Sequence, residues 1–450
     1  MSENVLVLGL GKSGVAAANY LMDLGANITI YAGKSSDAAR ETAQPFIDAG
    51  IDVVFDTEEV QGSYDLCIAS PGIPQTGAFY KNAEAASTEL ISEPEFAWRQ
   101  SPADWVSVTG TNGKTTTTSL ITHLLFRCGK RASSCGNIGT TTCEAVKNRQ
   151  NREILVAEMS SYQLASTKQF KPRSAVLLNI TPDHISWHGS FEEYAKAKLK
   201  QFANMRRGST AVLCAEVPNC NEIAAELRTR GVRVIIVGEE RGSGCVYERD
   251  GVLYSKLSSS ELPICRVSDL RIKGTHNVTN ALAAAAVALD LGCKLEGVTE
   301  SLKTFEALEH RIEPCGTVEG VEYYNDSKAT NVDAVLVALT AFPEKKIVLL
   351  LGGRDKGTDL SELVEACKPV VRCIVAYGEA GQRFFDAFEQ SGIERYLEVG
   401  MEQAFNHATQ IAGADDVVLL SPACASFDEF NSFEHRGQVF KQMVKDLKNS

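Results

Sequence analysis

The segment Trp105-Val-Ser-Val-Thr-Gly-Thr-Asn-Gly-Lys-Thr-Thr116 gathers the residue types that hold phosphate. A strand-prone run, Trp105–Thr109, leads into Gly110, Thr111, Asn112, Gly113, Lys114 and Thr115, and a helix-prone stretch opens at Thr116. Glycine lets a backbone turn its N–H groups onto phosphate oxygens, and a helix N-terminus adds partial positive charge. In such a loop Lys114 reaches the β/γ-phosphates and the Thr115 hydroxyl holds Mg²⁺. The common P-loop carries a glycine five residues before its last one; here Val108 stands there, so the loop is a shortened variant.

Other residues could do chemistry near it. The strand-like Ile154–Ala157 delivers Glu158 at its carboxyl end, as an Mg²⁺ ligand or as an ordinary strand-end carboxylate. Leu177–His184 reads as another strand ending in polar residues. His184 and His188 are four apart, but Ile185 follows His184, which excludes H-E-x-x-H zinc chemistry. His184 remains either a metal ligand or a structural histidine. Phe191–Lys200 reads as a charged helix in which spacing alone singles out no lysine. Near the N-terminus, Gly9-x-Gly11-x-x-Gly14 follows a strand, as in dinucleotide-binding proteins. Those proteins place an acid at the end of the second strand, where Tyr31-Ala-Gly33 has none. An NAD-dependent oxidoreductase is thus a remote reading, while some other diphosphate at this helix N-terminus suits the geometry.

Strand-like and helix-like runs alternate throughout, which predicts an α/β fold with parallel sheets. Three units are expected over residues 1–98, 99–306 and 307–450: a Rossmann-like domain, a central P-loop ATPase-like domain with a mostly parallel sheet, and a second Rossmann-like domain. The last should carry strands at 321–324, 347–351, 372–376 and 416–420. The alanine-rich stretch 281–289 reads as a buried helix, and no apolar run approaches a membrane span. A net charge of −12 over 450 residues argues against an electrostatic nucleic-acid binder. The thirteen cysteines include no C-x-x-C pair, which fits isolated buried thiols in a reducing cytoplasm.

Taken together, Gly110–Thr116, Gly136-Asn-Ile-Gly139, Glu158–Gln163, Asn179–His184, Tyr194-x-x-Ala-Lys198, His276-Asn277-x-x-Asn280 and His310-Arg311 resemble the Mur ligase family, whose shortened P-loop is shared with folylpolyglutamate synthases. Asn325–Asn331, Leu420–Phe430 and Phe433-Glu-x-Arg436-Gly437 resemble the branch that adds D-glutamate to UDP-N-acetylmuramoyl-L-alanine, and the D-N-P-R block of the diaminopimelate- or lysine-adding branches is absent. The resemblance implies a cytoplasmic, monomeric ligase of peptidoglycan synthesis that consumes ATP with two Mg²⁺ ions. It implies metal ligation by Thr115, Glu158, His184 and a CO₂ carbamate on Lys198. It places ATP on Gly110–Thr116, Asn277, Arg311 and Asp326, with Lys328 adding charge near the chemistry. It places the UDP-sugar on Lys12, Ser13, Gly14, Lys34, Ser70, Gly72, Asn137, Ser160 and Gln163. D-Glutamate falls to Thr330, Lys356, Ser426, Phe427 and Phe433. Uracil contacts depart from the family, because Ala32-Gly33-Lys34 replaces the usual acidic or hydroxyl residue. Another amino-acid ligase of the family and a regulator that has lost catalysis are the remaining alternatives.

Overall fold

The computed structural model describes residues 3–342, 346–355 and 357–449. They form two compact units: one from the segments up to Val267 and from Thr279 to Lys303, the other from Ser268–Val278 and Thr304 onward. The first unit holds two sheets. Strands β1 (Asn4–Leu8), β2 (Asn27–Gly33), β3 (Asp52–Phe55), β4 (Tyr64–Ala69) and β5 (Ser87–Ser92) lie in the order β3-β2-β1-β4-β5, all parallel.

The second sheet contains β6 (Trp105–Thr109), β7 (Ala132–Gly136), β8 (Ile154–Glu158), β9 (Ser174–Leu177), β10 (Thr210–Cys214) and β11 (Arg233–Val237), followed by β12 (Cys245–Arg249), β13 (Val252–Lys256) and β14 (Leu262–Arg266). Its order is β14-β13-β12-β11-β10-β9-β6-β8-β7, parallel except for the β12–β14 meander. The phosphate-loop strand β6 therefore lies inside the sheet, and every one of its residues is buried. Continuous apolar runs are what a parallel strand covered on both faces requires. The strand expected from Leu177 instead ends there. Beyond it, the backbone turns so that Asn179 can bind the phosphate loop.

In the second unit, β15 (Glu313–Val318), β16 (Val321–Asn325), β17 (Ile347–Gly352), β18 (Val371–Tyr377), β19 (Glu394–Glu398) and β20 (Val417–Ala423) lie in the order β15-β16-β20-β17-β18-β19. Only β15 is antiparallel. The expected strands are all present, each displaced or extended by a few residues. No helix among the described residues is long and apolar enough to cross a membrane.

The first two sheets belong to one unit for a physical reason. Val7, Ile91 and Phe96 share a buried cluster with Trp105, Leu155 and Phe170. Helix Glu93–Gln100, which follows β5, adds two fully buried carboxylates. Glu95 accepts backbone N–H bonds from Lys168 (2.9 Å), Gln169 (2.8 Å) and Phe170 (2.9 Å), and one from Arg99 Nε at 3.0 Å. Glu93 accepts from the Cys143 N–H at 2.6 Å, and burial pushes its carboxyl above the usual carboxylate range. Removing one partner of a buried charged network leaves donors unpaired, so Glu95→Ala should cost roughly 3 kcal/mol or more, and Glu95→Gln much less. Urea unfolding of the two variants checks this; equal, sub-kilocalorie losses would show that the carboxylate carries no such load.

Candidate active site

The sequence places Gly110 at the carboxyl end of β6, and Gly113 adopts φ +82° as the residue before helix Lys114–Arg127. A side chain would clash at Gly113 and be tightly crowded at Gly110. A Cβ at Gly113 would stand 2.5 Å from Asn280 Oδ1, and one at Gly110 would stand 3.0 Å from Leu178 Cβ. Asn280 also accepts from the Thr117 hydroxyl at 3.0 Å. Asn179 Oδ1 accepts the N–H groups of Thr111 (2.9 Å) and Asn112 (2.8 Å). Those two N–H groups therefore face Asn179. The Thr117 N–H donates to the Gly113 carbonyl at 2.9 Å, which places Lys114, Thr115 and Thr116 in the first turn of the helix, the end that suits an anion. Asn179 and Asn280 were visible in motifs but carried no assigned role; an asparagine that buttresses a loop leaves no periodic signature.

Two lysines meet on the same loop. Lys114 Nζ donates to the carbonyls of Gly110 (3.0 Å) and Thr111 (2.7 Å). Lys198, on helix Phe191–Leu199, is 1% exposed and donates to the Gly110 carbonyl at 2.7 Å. Its Nζ lies 4.6 Å from the centre of the Tyr194 ring. Burial, then the neighbouring Lys114 charge, hold the Lys198 amine well below the usual lysine range, while Asp183 and Glu158 oppose the shift. An amine so depressed spends part of its time neutral, with a lone pair, and becomes a nucleophile.

Glu158 ends β8 and is 2% exposed. Its Oε1 accepts from Asn137 Nδ2 at 2.9 Å, and its Oε2 is buried with no hydrogen-bond partner. The Asn137 N–H also holds the Glu158 carbonyl at 2.9 Å, and a Cβ at Gly136 would strike that carbonyl at 2.4 Å. The Gly136-Asn137 turn thus aims this carboxylate. A buried oxygen with no donor suits a cation, which supports Glu158 as a metal ligand. Among the described residues, no three His, Cys, Asp or Glu side chains gather as a metal-binding group.

His184 takes a left-handed conformation (φ 53°) ahead of the short helix Ile185–His188. Its exposed ring stands 4.9 Å from Tyr162 and 6.3 Å from Tyr194, and Tyr194 OH shares a 2.9 Å hydrogen bond with Thr111 Oγ1. His188 is buried against Ser161 Oγ at 2.9 Å, and burial, with His184 and Lys198 nearby, pushes its pKa down to about 4. His188 is therefore the packed histidine of the pair, and His184 the exposed one.

The first sheet carries a cleft of about 940 Å³ at the carboxyl ends of β1, β2 and β4. Lys12, Ser13, Lys34, Ser70 and Gly72 line it together with Gly9 and Gly11. Gly14 lies beneath, where a Cβ would come 1.9 Å from the Gly9 carbonyl; it serves helix–strand packing. Glu58, from a loop, and Phe79, from the start of helix Ala78–Ala85, also line this cleft, and no motif marks either. Ser160 and Gln163 do not line it. They form a reciprocal cap at the start of helix Ser161–Ala165, with Gln163 N–H on Ser160 Oγ at 3.2 Å and Ser160 N–H on Gln163 Oε1 at 2.9 Å. Asn137 is likewise outside the cleft, engaged with Glu158.

In the second unit, Arg436 is fully buried at the start of helix Phe433–Asn449. Its guanidinium donates to Ser327 Oγ (2.9 Å), the Ser327 carbonyl (2.9 Å) and the Cys424 carbonyl (3.1 Å), and Ser327 Oγ donates to the Phe433 carbonyl at 2.8 Å. One side chain thus ties together the three segments that carry Thr330, Ser426, Phe427 and Phe433. Ser426 Oγ is buried without a hydrogen-bond partner, whereas Phe427 is 60% exposed. Lys328 Nζ lies 4.0 Å above the Phe433 ring. Lys356 lies outside the described residues. Asn277 is the third residue of helix Thr275–Asp290 and donates to the Lys273 carbonyl at 2.6 Å. Asp326 accepts from Ser421 Oγ (2.7 Å) and the Ile312 N–H (3.2 Å); burial pushes its pKa up to about 7, against those bonds and the charges of Arg311 and Arg436.

Family models described as Mur ligase MurD-like N-terminal domain, Mur ligase middle domain, and Mur ligase glutamate ligase domain match residues 3–92, 108–288 and 310–424. The chain belongs to the Mur ligase family. It is 38% identical to the UDP-N-acetylmuramoylalanine--D-glutamate ligase of Koribacter versatilis, covering 99% of this chain and 98% of that one. It is 36% identical to the enzyme of that name from Bacillus cytotoxicus, with 99% and 98% covered. Among solved structures it is similar in fold to the UDP-N-acetylmuramate-alanine ligase of Thermotoga maritima (TM-score 0.59, 19% identity, 99% of both chains). The UDP-N-acetylmuramoylalanyl-D-glutamyl-2,6-diaminopimelate--D-alanyl-D-alanyl ligase of Acinetobacter baumannii is also similar in fold (TM-score 0.61, 16% identity, 94% and 90% covered). The expectation of a three-domain α/β Mur ligase drawn from the motifs is thereby met.

Two outcomes follow from this geometry. Lys114→Ala should lower turnover by about 10²–10³ at saturating ATP while leaving the fold intact, because it removes a preorganised charge at a phosphate loop. Near-wild-type turnover by a folded variant would refute that role. Asp326 binds its proton more tightly folded, near pH 7, than unfolded, near the ordinary aspartate value of 3.8. Its contribution to stability is therefore fully present below the unfolded value and is lost as pH rises through about 7. Wild-type denaturant stability should fall between pH 5 and pH 8 more steeply than that of Asp326→Asn, whose amide stays neutral; parallel profiles would assign the slope to other groups.

Proposed function

We propose that this chain joins D-glutamate to UDP-N-acetylmuramoyl-L-alanine at the expense of ATP, over domains at 1–98, 99–306 and 307–450. The observation that carries the reading is full-length similarity to D-glutamate ligases at 36–38% identity, over a phosphate loop on which two lysines meet. The loop and Lys114 hold ATP, with Asn277, Arg311 and Asp326 as further nucleotide contacts. A carboxylate cannot lose oxide, so the L-alanine carboxylate first takes the γ-phosphoryl group and releases ADP. The D-glutamate amine then attacks the acyl phosphate, and phosphate departs from the tetrahedral intermediate. Each step brings an anion toward an anion. Lys114 offsets that repulsion, with Lys328 in support, and a water-poor site protects the acyl phosphate from hydrolysis. Thr115, Glu158, His184 and a carbamate on Lys198 would hold two Mg²⁺ ions, which supply charge neutralisation of the phosphoryl oxygens.

The Lys198 assignment rests on its environment. An ammonium has no lone pair for a metal, but a neutral amine adds CO₂ to give a carbamate anion and a proton. Its depressed pKa favours the neutral form. The cleft beside Gly9 would take the UDP end, through Lys12, Ser13, Lys34, Ser70 and Gly72. Thr330, Lys356, Ser426, Phe427 and Phe433 would take D-glutamate. An NAD-dependent oxidoreductase leaves the Gly110–Thr116 loop unused. Chains of ordinary buried thiols and a negative surface charge fit a cytoplasmic enzyme, and a monomer is the simplest state.

ADP release with UDP-N-acetylmuramoyl-L-alanine should require D-glutamate and respond weakly to L-glutamate or D-alanine. Equal response to L-lysine or diaminopimelate would move the chain to another branch. Lys198→Ala should lose most activity, and acetate should restore part of it by supplying an oxygen ligand, with methylamine inert as the control. Full activity without any additive, or rescue by the amine alone, would reject the carbamate.

A further inference from the structure

The carboxyl edge of a parallel sheet is where an α/β fold offers a ligand site. In the second unit, the neighbouring strands β16, β20 and β17 end there at Asn325, Ala423 and Gly352. The segments that leave them meet on Arg436, which is 0% exposed. Its Nε donates to Ser327 Oγ, just past β16, at 2.9 Å. Its Nη2 donates to the Ser327 carbonyl at 2.9 Å and to the Cys424 carbonyl, just past β20, at 3.1 Å. Its Nη1 faces Gly353, just past β17, where a Cβ would stand 3.1 Å from it. Ser327 is itself buried and passes the tie onward, its hydroxyl donating to the Phe433 carbonyl at 2.8 Å. None of the groups that accept from this guanidinium is a carboxylate. A buried charge with neutral partners is costly, and an apolar side chain would pack there at less electrostatic cost. What the guanidinium does that an apolar group cannot is hold separate backbone segments at a fixed spacing.

We propose that Arg436, acting through Ser327, is a positioning residue that sets the span of the amino-acid pocket and hence the length of dicarboxylate it accepts. This rests on the D-glutamate reading above. In that reading Thr330, Ser426 and Phe433 hold the substrate, and each belongs to a segment that the guanidinium ties. A tight turn, with the Ala329 N–H on the Asp326 carbonyl at 2.9 Å, carries the chain from Ser327 to Thr330. Ser426 lies just beyond Cys424, and the Phe433 carbonyl itself accepts from Ser327. Two carboxylates anchored on different segments are separated by whatever spacing those segments keep. Arg436 and Ser327 do not touch the substrate; they act through the segments they hold. Displacing such a segment by about 1 Å can cost on the order of 100-fold in rate.

Steady-state kinetics of the full-length protein tests this. Ser327→Ala removes both the acceptor of Arg436 Nε and the donor to Phe433. The D-glutamate KM should rise about tenfold, the size expected of one charge-assisted hydrogen bond, while the KM values for ATP and UDP-N-acetylmuramoyl-L-alanine stay unchanged. The preference in kcat/KM for D-glutamate over D-2-aminoadipate, which is one methylene longer, should fall by about tenfold as well. Arg436→Lys keeps the charge and loses the fork; it should move the same constants in the same direction, and it carries the test if Ser327→Ala does not fold. A lower unfolding midpoint with unchanged D-glutamate KM and unchanged length preference would make the pair merely structural and overturn the proposal. Equal rises in all three KM values would overturn it too. Wild-type protein that does not use D-glutamate would overturn the D-glutamate reading itself, and the positioning role with it.

Discussion

Two amines on one carbonyl oxygen set the terms for the catalytic unit. Lys114 and Lys198 both donate to the Gly110 carbonyl, at 3.0 and 2.7 Å. Two full positive charges at that separation, one of them sealed from water, are too costly to keep. Lys114 is half-buried at the start of its helix, where an anion would approach, whereas Lys198 is sealed under the Tyr194 ring. Burial, then the Lys114 charge, hold the Lys198 amine well below the usual lysine range. The two lysines thus stand in unequal surroundings, and Lys198 is the better candidate for chemistry that needs a neutral amine.

This division works only if Gly110 does not move. Its carbonyl is positioned by β6 below, by Leu178 against its α-carbon, and by Asn179, which takes two N–H groups of the loop. Asn280 closes the other side under Gly113. The loop is therefore preorganised by amide side chains from two distant segments rather than by its own glycines. The buried Glu95 network does comparable work between the first two sheets, and Arg436 does it in the second unit. In each case one buried polar side chain, through several hydrogen bonds, fixes more than one backbone segment at once.

What the sequence disclosed and what it withheld follow from the same physics. The parallel sheets were legible because apolar runs such as Val5–Leu8 and Ile347–Leu351 have one plausible use. The phosphate loop was legible because glycine, lysine and threonine at that spacing rarely serve anything else. Lys12, Ser13, Lys34, Ser70 and Gly72 fell together on one cleft, as the first glycine turn implied. Ser160 and Gln163 are engaged in a helix cap, which a Ser-x-x-Gln spacing announces as readily as it announces a ligand. Glu58, Phe79, Asn179 and Arg436 were not legible as site residues. They come from loops or helix starts far along the chain, and only the folded backbone brings them to their neighbours.

The chain uses the same backbone device twice and makes it specific in two different ways. At Gly9 and at Gly110, a strand ends in glycine and a helix begins, offering N–H groups and a partial positive charge to an anion. Neither turn by itself says which phosphate it takes. Beyond the Gly9 turn, the cleft widens over Lys12, Lys34, Glu58 and Phe79, charged and aromatic groups of the kind that recognise a nucleotide. Beyond the Gly110 turn stand Lys114, a buried carboxylate with one open oxygen, and a buried amine held well below the usual lysine range. Those are the surroundings that the phosphoryl transfer proposed above would need, and the Gly9 cleft has no counterpart of the buried amine. Glycine geometry supplies a turn suited to an anion in both places, and the side chains placed around it are what set the two apart.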